Sequence, residues 1–493
     1  MHQRLERLLS IALAWAALLA CSRQTAPQIE VRSDDDLAGL TVAVAAGSAY
    51  DSAYSSREDI TLIRYNTHTD VLQSVINGQA QVLIDDELSF PANVLRETGV
   101  KISGCGDKAF PTAFALSKAE TALRDTYNDM QREMAADGRL DSLIHYWLRP
   151  EGFAEADLPP VPPQPEGKPI RVAMAGAANP ICFIVDGEWY GLEIALLRLL
   201  GERTGRPLDI KLYDTSSALL SVNAGMADIM AGVLFITPER QEVYAFTDPY
   251  YSFHQAYFVK DSQHSQEHIS LLSSLKKALH KNLVVERRWA MLARGVWETV
   301  KITLLSILLG AILGAGLCAM MRSRRRSLRT LASLYNLLIA GIPMLVLLLI
   351  LFYVVFAGSG LSSTGVAVVA FALNFASGAA GIYDTSLNSV PYGQTEAGLS
   401  LGFTGLQTFR HIVLPQALAT GLPLFKGQCA GLLKGTSIVG YIAIQDLTRA
   451  GDLIRSRTFE ALVPLLLVTI IYFILIWALG WLIGLFAPKK HSA

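Results

Sequence analysis

The sequence predicts an α/β front half followed by an all-α transmembrane half of about five helices, and three observations carry that reading. Before about residue 285, strand–helix–strand patterns such as LTVAVAAGSAYDS, TDVLQSVINGQA and QVLID recur, with Val71, Leu72, Val75 and Ile76 on one helical face. From Val296 onward, apolar runs such as ITLLSILLGAILGAGLCAMM and LVPLLLVTIIYFILIWALGWLIGLF are long enough to cross a bilayer, which takes roughly 20 residues at 1.5 Å rise each. A mostly polar stretch, EAGLSLGFTGLQTFRHIVLPQAL (Glu396–Leu418), separates two of those runs. The 493 residues leave room for several domains, and a net charge of −1 offers no basic surface for nucleic acid, so that partner class is excluded.

The N-terminal MHQRLERLLSIALAWAALLACS places Arg4 and Arg7 before an apolar stretch too short for a span, then Leu-Leu-Ala-Cys. This reads as a signal peptide over 1–21 and resembles bacterial lipoprotein precursors, which implies lipidation at Cys21. An uncleaved anchor is the alternative, and either one exports the domain that follows. Cys105, Cys182, Cys318 and Cys429 show no CxxC spacing, so no metal site is expected. The sequence leaves open whether Cys105 and Cys182 form a disulfide.

Segment 31–150 ends in the strand TAFALSK and the helical stretch LRDTYNDMQREMAADGRLDSLIHYWLRP. It resembles the second half of a family 3 periplasmic solute-binding protein of the polar amino-acid type. After a Pro-rich linker, 151–167, the segment 168–262 (IRVAMAGAANPICFIVDGEWYGLEIALLRLLGERTG, then ADIMAGVLFITPERQEVYAFTDPYYSFHQAYFVKD) resembles the first half. The resemblance implies the two-lobed α/β periplasmic-binding-protein fold in circularly permuted order. A linker of roughly ten residues spans about 30 Å at 3.1 Å per residue, enough to join termini within one lobe. The alternative is two truncated domains, each completed by another chain.

A free amino acid needs a fixed cation for its carboxylate, donors at a helix start, and a buried acid for its ammonium. By the resemblance, Arg240 in ITPER supplies the guanidinium fork. Ser48, in the turn after TVAVAAG, supplies a hydroxyl at a helix N-terminus. Asp85, ending QVLID, takes the ammonium, with its neighbour Asp86 as the alternative. The ordinary readings are a solvated arginine, an N-cap serine and a surface aspartate. The chain departs from the family at Phe235, where many members have Ser or Thr, and at Asn179-Pro180-Ile181-Cys182, where a stacking aromatic is common.

In Glu396–Leu418, the residues Glu396, Ala397, Gly402, Ile412, Leu414 and Pro415 fall where the EAA loop of bacterial ABC importer permeases has its motif. In that family the loop is a short cytoplasmic helix docking into the partner ATPase. Domain 291–488, preceded by a connector at 263–290, resembles glutamine- and histidine-type permeases. Five spans are expected, near 296–320, 331–355, 365–383, 418–444 and 462–485. The fourth contains Pro423, Lys426 and Lys434, and charges at that depth should face protein or a water-filled path. Lys434 and Thr436-Ser437 therefore either pack helices together or line the substrate path.

An odd span count carries the chain from an exported front to a cytoplasmic C-terminus and puts the EAA loop in the cytoplasm. RSRRRSLR fits a cytoplasmic first loop, whereas Lys276, Lys277, Lys281, Arg287, Arg288 and Arg294 on the exported side run against the charge rule. Gly381 and Asp384 replace a Glu and an Arg usual in the family, which puts a salt bridge or substrate contact in doubt.

These parts imply a fused substrate-binding and permease subunit of an ATP-driven polar amino-acid importer in the bacterial inner membrane, with no enzymatic activity of its own. No GxxxxGK[ST] occurs, so ATP and Mg belong to a separate ABC ATPase subunit dimer, and no cofactor is expected in this chain. Five spans imply a homodimer or a second permease chain. A ligand-gated channel or receptor with a glutamate-receptor-like binding domain is the alternative, but both halves of the binding domain precede the first span and no TVGYG-type filter occurs.

Overall fold

The computed structural model describes residues 29–149, 158–176, 178–185, 187–261, 276–357 and 359–485. The expected signal peptide and its Cys21 lie outside them, as do 151–157 of the linker and 263–275 of the connector.

The first segment forms β1 (Thr41–Ala45), α1 (Ala49–Tyr54), β2 (Thr61–Tyr65), α2 (His68–Ile76), β3 (Val82–Asp86), α3 (Ala92–Thr98), β4 (Val100–Thr112), β5 (Ala115–Ser117), α4 (Thr121–Ala136) and α5 (Arg139–Trp147). The second forms β6 (Ile170–Ala175), β7 (Phe183–Val185), β8 (Glu188–Tyr190), α6 (Leu192–Thr204), β9 (Leu208–Tyr213), α7 (Thr215–Asn223), β10 (Ile229–Ala231), α8 (Pro238–Val243), β11 (Tyr244–Phe246) and β12 (Tyr251–Lys260). Periodicity located β1, α2 and β3. In α2 the predicted face buries Val71, Leu72 and Val75, and Thr67 caps the helix by accepting from the Asp70 amide at 3.1 Å. β3 is buried at every position, which is why it reads as a continuous apolar run ending in acids.

The strands form two five-stranded sheets, β2-β1-β3-β12-β4 and β9-β6-β10-β5-β11. In the first, β1 runs parallel to β2 and β3, and β12 lies antiparallel to β3 with Gln255 opposite Asp86 and Val259 opposite Val82. In the second, β6 runs parallel to β9 and β10, and β5 lies antiparallel to β10 and β11. Each segment thus supplies three parallel strands to its own sheet and lends one strand to the other's. Without the lent strand, β3 or β10 would present bare backbone N–H and C=O groups.

The described residues divide into two compact units. One holds the β1–β3 sheet, with residues up to Ala109 and from His254; the other holds the β6–β10 sheet, from Phe110 to Phe253, together with the whole membrane half.

The membrane half begins with α9 (Arg288–Met321), α10 (Arg326–Gly341), α11 (Met344–Ile350) and α12 (Ser363–Asn388). Gly310 and Gly314 of α9 let it approach α12 closely, since a Cβ at either would stand 2.8 Å from Ala372 O or Ala379 Cβ. The chain continues through α13 (Tyr392–Ser400), α14 (Gly405–Thr408), α15 (Leu414–Gly435), α16 (Leu447–Thr458) and α17 (Leu462–Gly484).

Helical segments occupy all five predicted spans, but they are not five uniform helices. Among the described residues, α9, α12 and α17 are long and apolar enough to span on their own. The second predicted span breaks at Ile342-Pro343, where proline cannot continue the hydrogen-bond ladder, and its two parts bend by 103°. The fourth ends as an α-helix at Gly435 and tightens into a 3-10 turn, Thr436–Ile442. Pro423 lies inside α15 without ending it.

Candidate functional site

Ser48 and Asp85 share one sheet and one edge. Ser48 follows β1 by three residues and Asp85 lies at the end of the neighbouring β3, so both sit at the C-terminal ends of parallel strands, where open α/β sheets bind ligands. Ser48 is half-buried and caps α1, its Oγ accepting from the Asp51 amide at 3.1 Å, which leaves the hydroxyl proton for an acceptor. Asp51 in turn accepts from Gly47 N at 2.9 Å and pairs with Arg64 at 2.6 Å, fixing the turn.

The two acids at the end of β3 are used differently. Asp85 is buried and meets Nδ1 of His68, the first residue of α2, at 2.6 Å. That carboxylate draws the half-exposed imidazole's pKa upward. Asp86, also buried, accepts from neutral donors, Leu88 N at 3.0 Å and Ser89 Oγ at 2.7 Å. Burial first, and then the neighbouring Asp85, push its carboxyl up to about 7. His68 was not among the sequence candidates; its signal is its position beside the Thr67 cap at the same strand edge.

Arg240 belongs to the other unit, in α8. Thr237 caps that helix and Pro238 occupies its first turn, where a missing N–H costs nothing. The half-buried guanidinium donates from Nη1 to Phe235 O at 2.9 Å, and desolvation draws its pKa down. The turn leading to it is held by Glu193 of α6, a residue that sequence reading passed over inside an apolar helix. Its fully buried carboxylate accepts from Gly232 N at 2.7 Å, Val233 N at 2.8 Å and the Tyr250 hydroxyl. Those amides sit in a left-handed bend, φ +109° at Gly232 and +54° at Val233. A Cβ at Gly232 would stand 2.8 Å from Ala175 N, so glycine is required there.

Phe235, where relatives carry a hydroxyl, is buried between Phe110 and Phe253, with ring centroids 5.4 and 6.2 Å away. It packs against β4 through Phe110 and against β12 through Phe253. Cys105 and Cys182 are both free, Cys182 being buried where its backbone pairs with Ala178.

The EAA segment folds as a helical hairpin. Gly402, at φ +85°, ends α13: its amide donates to Leu399 O at 3.0 Å and that of Phe403 to Gly398 O at 3.2 Å. Thr404 and Gln407 form a capping box at the start of α14. Pro415 occupies the first turn of α15, directly after Leu414. Ile412 and Thr408 pack against Gly398, where a Cβ would stand 2.9 Å from Ile412 Cδ1 and 2.7 Å from Thr408 Cγ2. Glu396 and Ala397 are exposed beside outward-facing Tyr392, Leu401 and Leu406, which are 73%, 77% and 77% exposed.

One departure acquires an explanation. Asp384 pairs with Arg322 at 2.8 Å, and Asn388 joins both, so an ion pair ties α12 to the first loop. Lys434 is exposed while Leu432, Leu433 and Thr436 are buried, so within this chain it does not pack helices together.

Residues 306–492 match the family of binding-protein-dependent transport system inner membrane components, and residues 170–337 match bacterial extracellular solute-binding proteins, family 3. An L-cystine transport system permease protein of Bacillus subtilis (strain 168) is 33% identical over 209 residues, 42% of this chain and 89% of that protein. A second L-cystine permease of the same organism is 32% identical over 191 residues, 37% of this chain and 80% of that protein. A crystal structure of an amino acid ABC transporter with histidines aligns at 29% identity and TM-score 0.38, over 45% of this chain and 99% of that one. An α/β solute-binding half thus precedes, in one polypeptide, the helices and hairpin of a membrane component, and the chain belongs to the amino-acid ABC permease family, with a family 3 solute-binding domain fused ahead of the permease.

Proposed function

We propose that this chain captures a polar amino acid outside the inner membrane and passes it inward, driven by a separate ABC ATPase dimer that supplies ATP and Mg. The observation that carries the reading is the hairpin from Tyr392 to Pro415, which joins membrane helices yet turns leucines and a tyrosine outward, as a docking surface for another protein must. The front segments act as one permuted binding domain, 31–150 with 168–262, because each completes the other's sheet. The binding domain faces the periplasmic or extracellular side and the C-terminus the cytoplasm. A second copy or a second permease chain completes the pore, with Lys434 along its path.

In the binding domain, Arg240 takes the α-carboxylate and Ser48 donates from its hydroxyl. The ammonium falls to the acids ending β3. Asp85 already meets His68, whereas Asp86 accepts from the neutral Leu88 N and Ser89 Oγ, so this geometry favours Asp86. An ammonium needs the ionised carboxylate, and Asp86 is protonated as pH falls through about 7. Affinity should therefore be highest above that pH and drop by up to about tenfold per unit below it. Asp86→Asn should weaken binding and flatten this profile, while Asp85→Asn should keep a pH-dependent step but move it to lower pH, because a neighbouring charge that raises Asp86 is gone; calorimetric titration across pH checks the assignment, and a profile lost in Asp85→Asn but kept in Asp86→Asn returns the role to Asp85.

L-cystine, the substrate in the relatives' names, joins the twenty amino acids as a test ligand. A thermal-shift screen of the full-length protein should show one or a few of them raising the melting temperature by binding the native state. A screen in which none does so sinks the amino-acid reading.

A further inference from the structure

We infer that the lobe built on β6–β10 is seated permanently on its own permease, loaded or empty, instead of engaging it only when ligand is bound. This deepens the importer reading, while the seat itself rests on packing within a single compact unit. Helix α16 is clamped from two sides. Leu447, Ala450 and Ile454, at helical spacing, pack into a membrane-side core with Leu292 and Val468. Leu453, next to Ile454 and 5% exposed, instead joins the core of the lobe, among residues such as Leu192 and Phe183.

The contact recurs in other core clusters. Ala443, just beyond the 3-10 turn, packs against the lobe's second core cluster around Tyr213 and Val222. Met226, in the turn after α7, packs against the permease core, and the Tyr353 hydroxyl donates to Ser217 O at 3.3 Å. Apolar residues of the membrane half thus complete the lobe's interior, and a lobe residue completes the permease's. Parting them would expose both sets to water. None of these side chains belongs to the ligand residues proposed above, so nothing in the seat depends on the ligand. A receptor held this way needs no diffusional encounter with its permease.

A protease site inserted in the connector, between residues 263 and 275, tests the seat without requiring any ligand. Both sheets are complete before that point, since β12 ends at Lys260. The cut full-length protein, in detergent and free of amino acids, should elute from a sizing column with its two halves together. Leu453→Asp should let them separate. Because that variant can also fail to fold, hydrogen exchange on the uncut wild-type protein is measured as well, and α16 should be equally protected with and without added L-glutamine or L-cystine. Halves that part when ligand-free and stay joined only with those amino acids, or an α16 protected only in their presence, would overturn the proposal. Failure of the amino-acid reading shows instead as an absent thermal shift, which changes neither readout.

Discussion

Replacing Arg240 with alanine is expected to weaken α-amino-acid binding by roughly a hundredfold or more and to abolish uptake at ordinary substrate levels. A guanidinium fork makes two charge-assisted hydrogen bonds to a carboxylate, and losing both costs about 3 kcal/mol or more, which is roughly a hundredfold in Kd. The residue is half-buried and already desolvated, so much of the cost of holding a cation there is met before ligand arrives. Arg240→Lys should fall between wild type and alanine, keeping charge while losing the bidentate geometry. Calorimetric titration of the full-length protein measures both. The alanine variant also loses the bond to Phe235 O, worth about 1 kcal/mol, so its melting temperature is recorded alongside. Unchanged Kd in a folded Arg240→Ala protein removes this residue from the site.

Gly398→Val is expected to abolish transport while leaving ligand affinity where it was. The glycine is buried in the hairpin, and a Cβ there would run into Thr408 and Ile412 at under 3 Å. Forcing side-chain carbons into that space costs about 1–3 kcal/mol and splays α13 from the segment that leads into α15. With the partner ATPase present, ligand should no longer change its turnover, whereas thermal shifts by ligand persist. Glu396→Ala, at an exposed position, should give the same uncoupling without disturbing the hairpin. If either variant loses ligand affinity and keeps coupled turnover, the hairpin is not the coupling element.

How much of this was legible in sequence depended on whether the cause was local. The first strands and the helix of the TDVLQSVINGQA segment follow from periodicity, and they stand where the sequence placed them. The broken second span was less legible, because Pro343 sits within an otherwise continuous apolar run. Glu193 gave no signal in sequence, because the amides it accepts from, Gly232 and Val233, lie far along the chain. Phe235 read as a missing hydroxyl, and only the approach of Phe110 and Phe253 gives it a packing role. Leu453 could not be told from any other apolar helix residue, since its partners belong to a different domain. The pairing of Asp85 with His68 likewise waited on where α2 places that histidine.

The traded strands also set the order of events during synthesis. β12 lies between β3 and β4, yet it is among the last strands of the front half to be synthesised. Until it emerges, β3 keeps an open edge and the first sheet stays in two pieces. Long-range pairing of this kind is slow and leaves sticky edges exposed in the meantime. Biogenesis is therefore where this architecture is most fragile. A chain truncated before Tyr251 should yield a fragment that proteases clear, while truncation after Lys260 should spare both sheets.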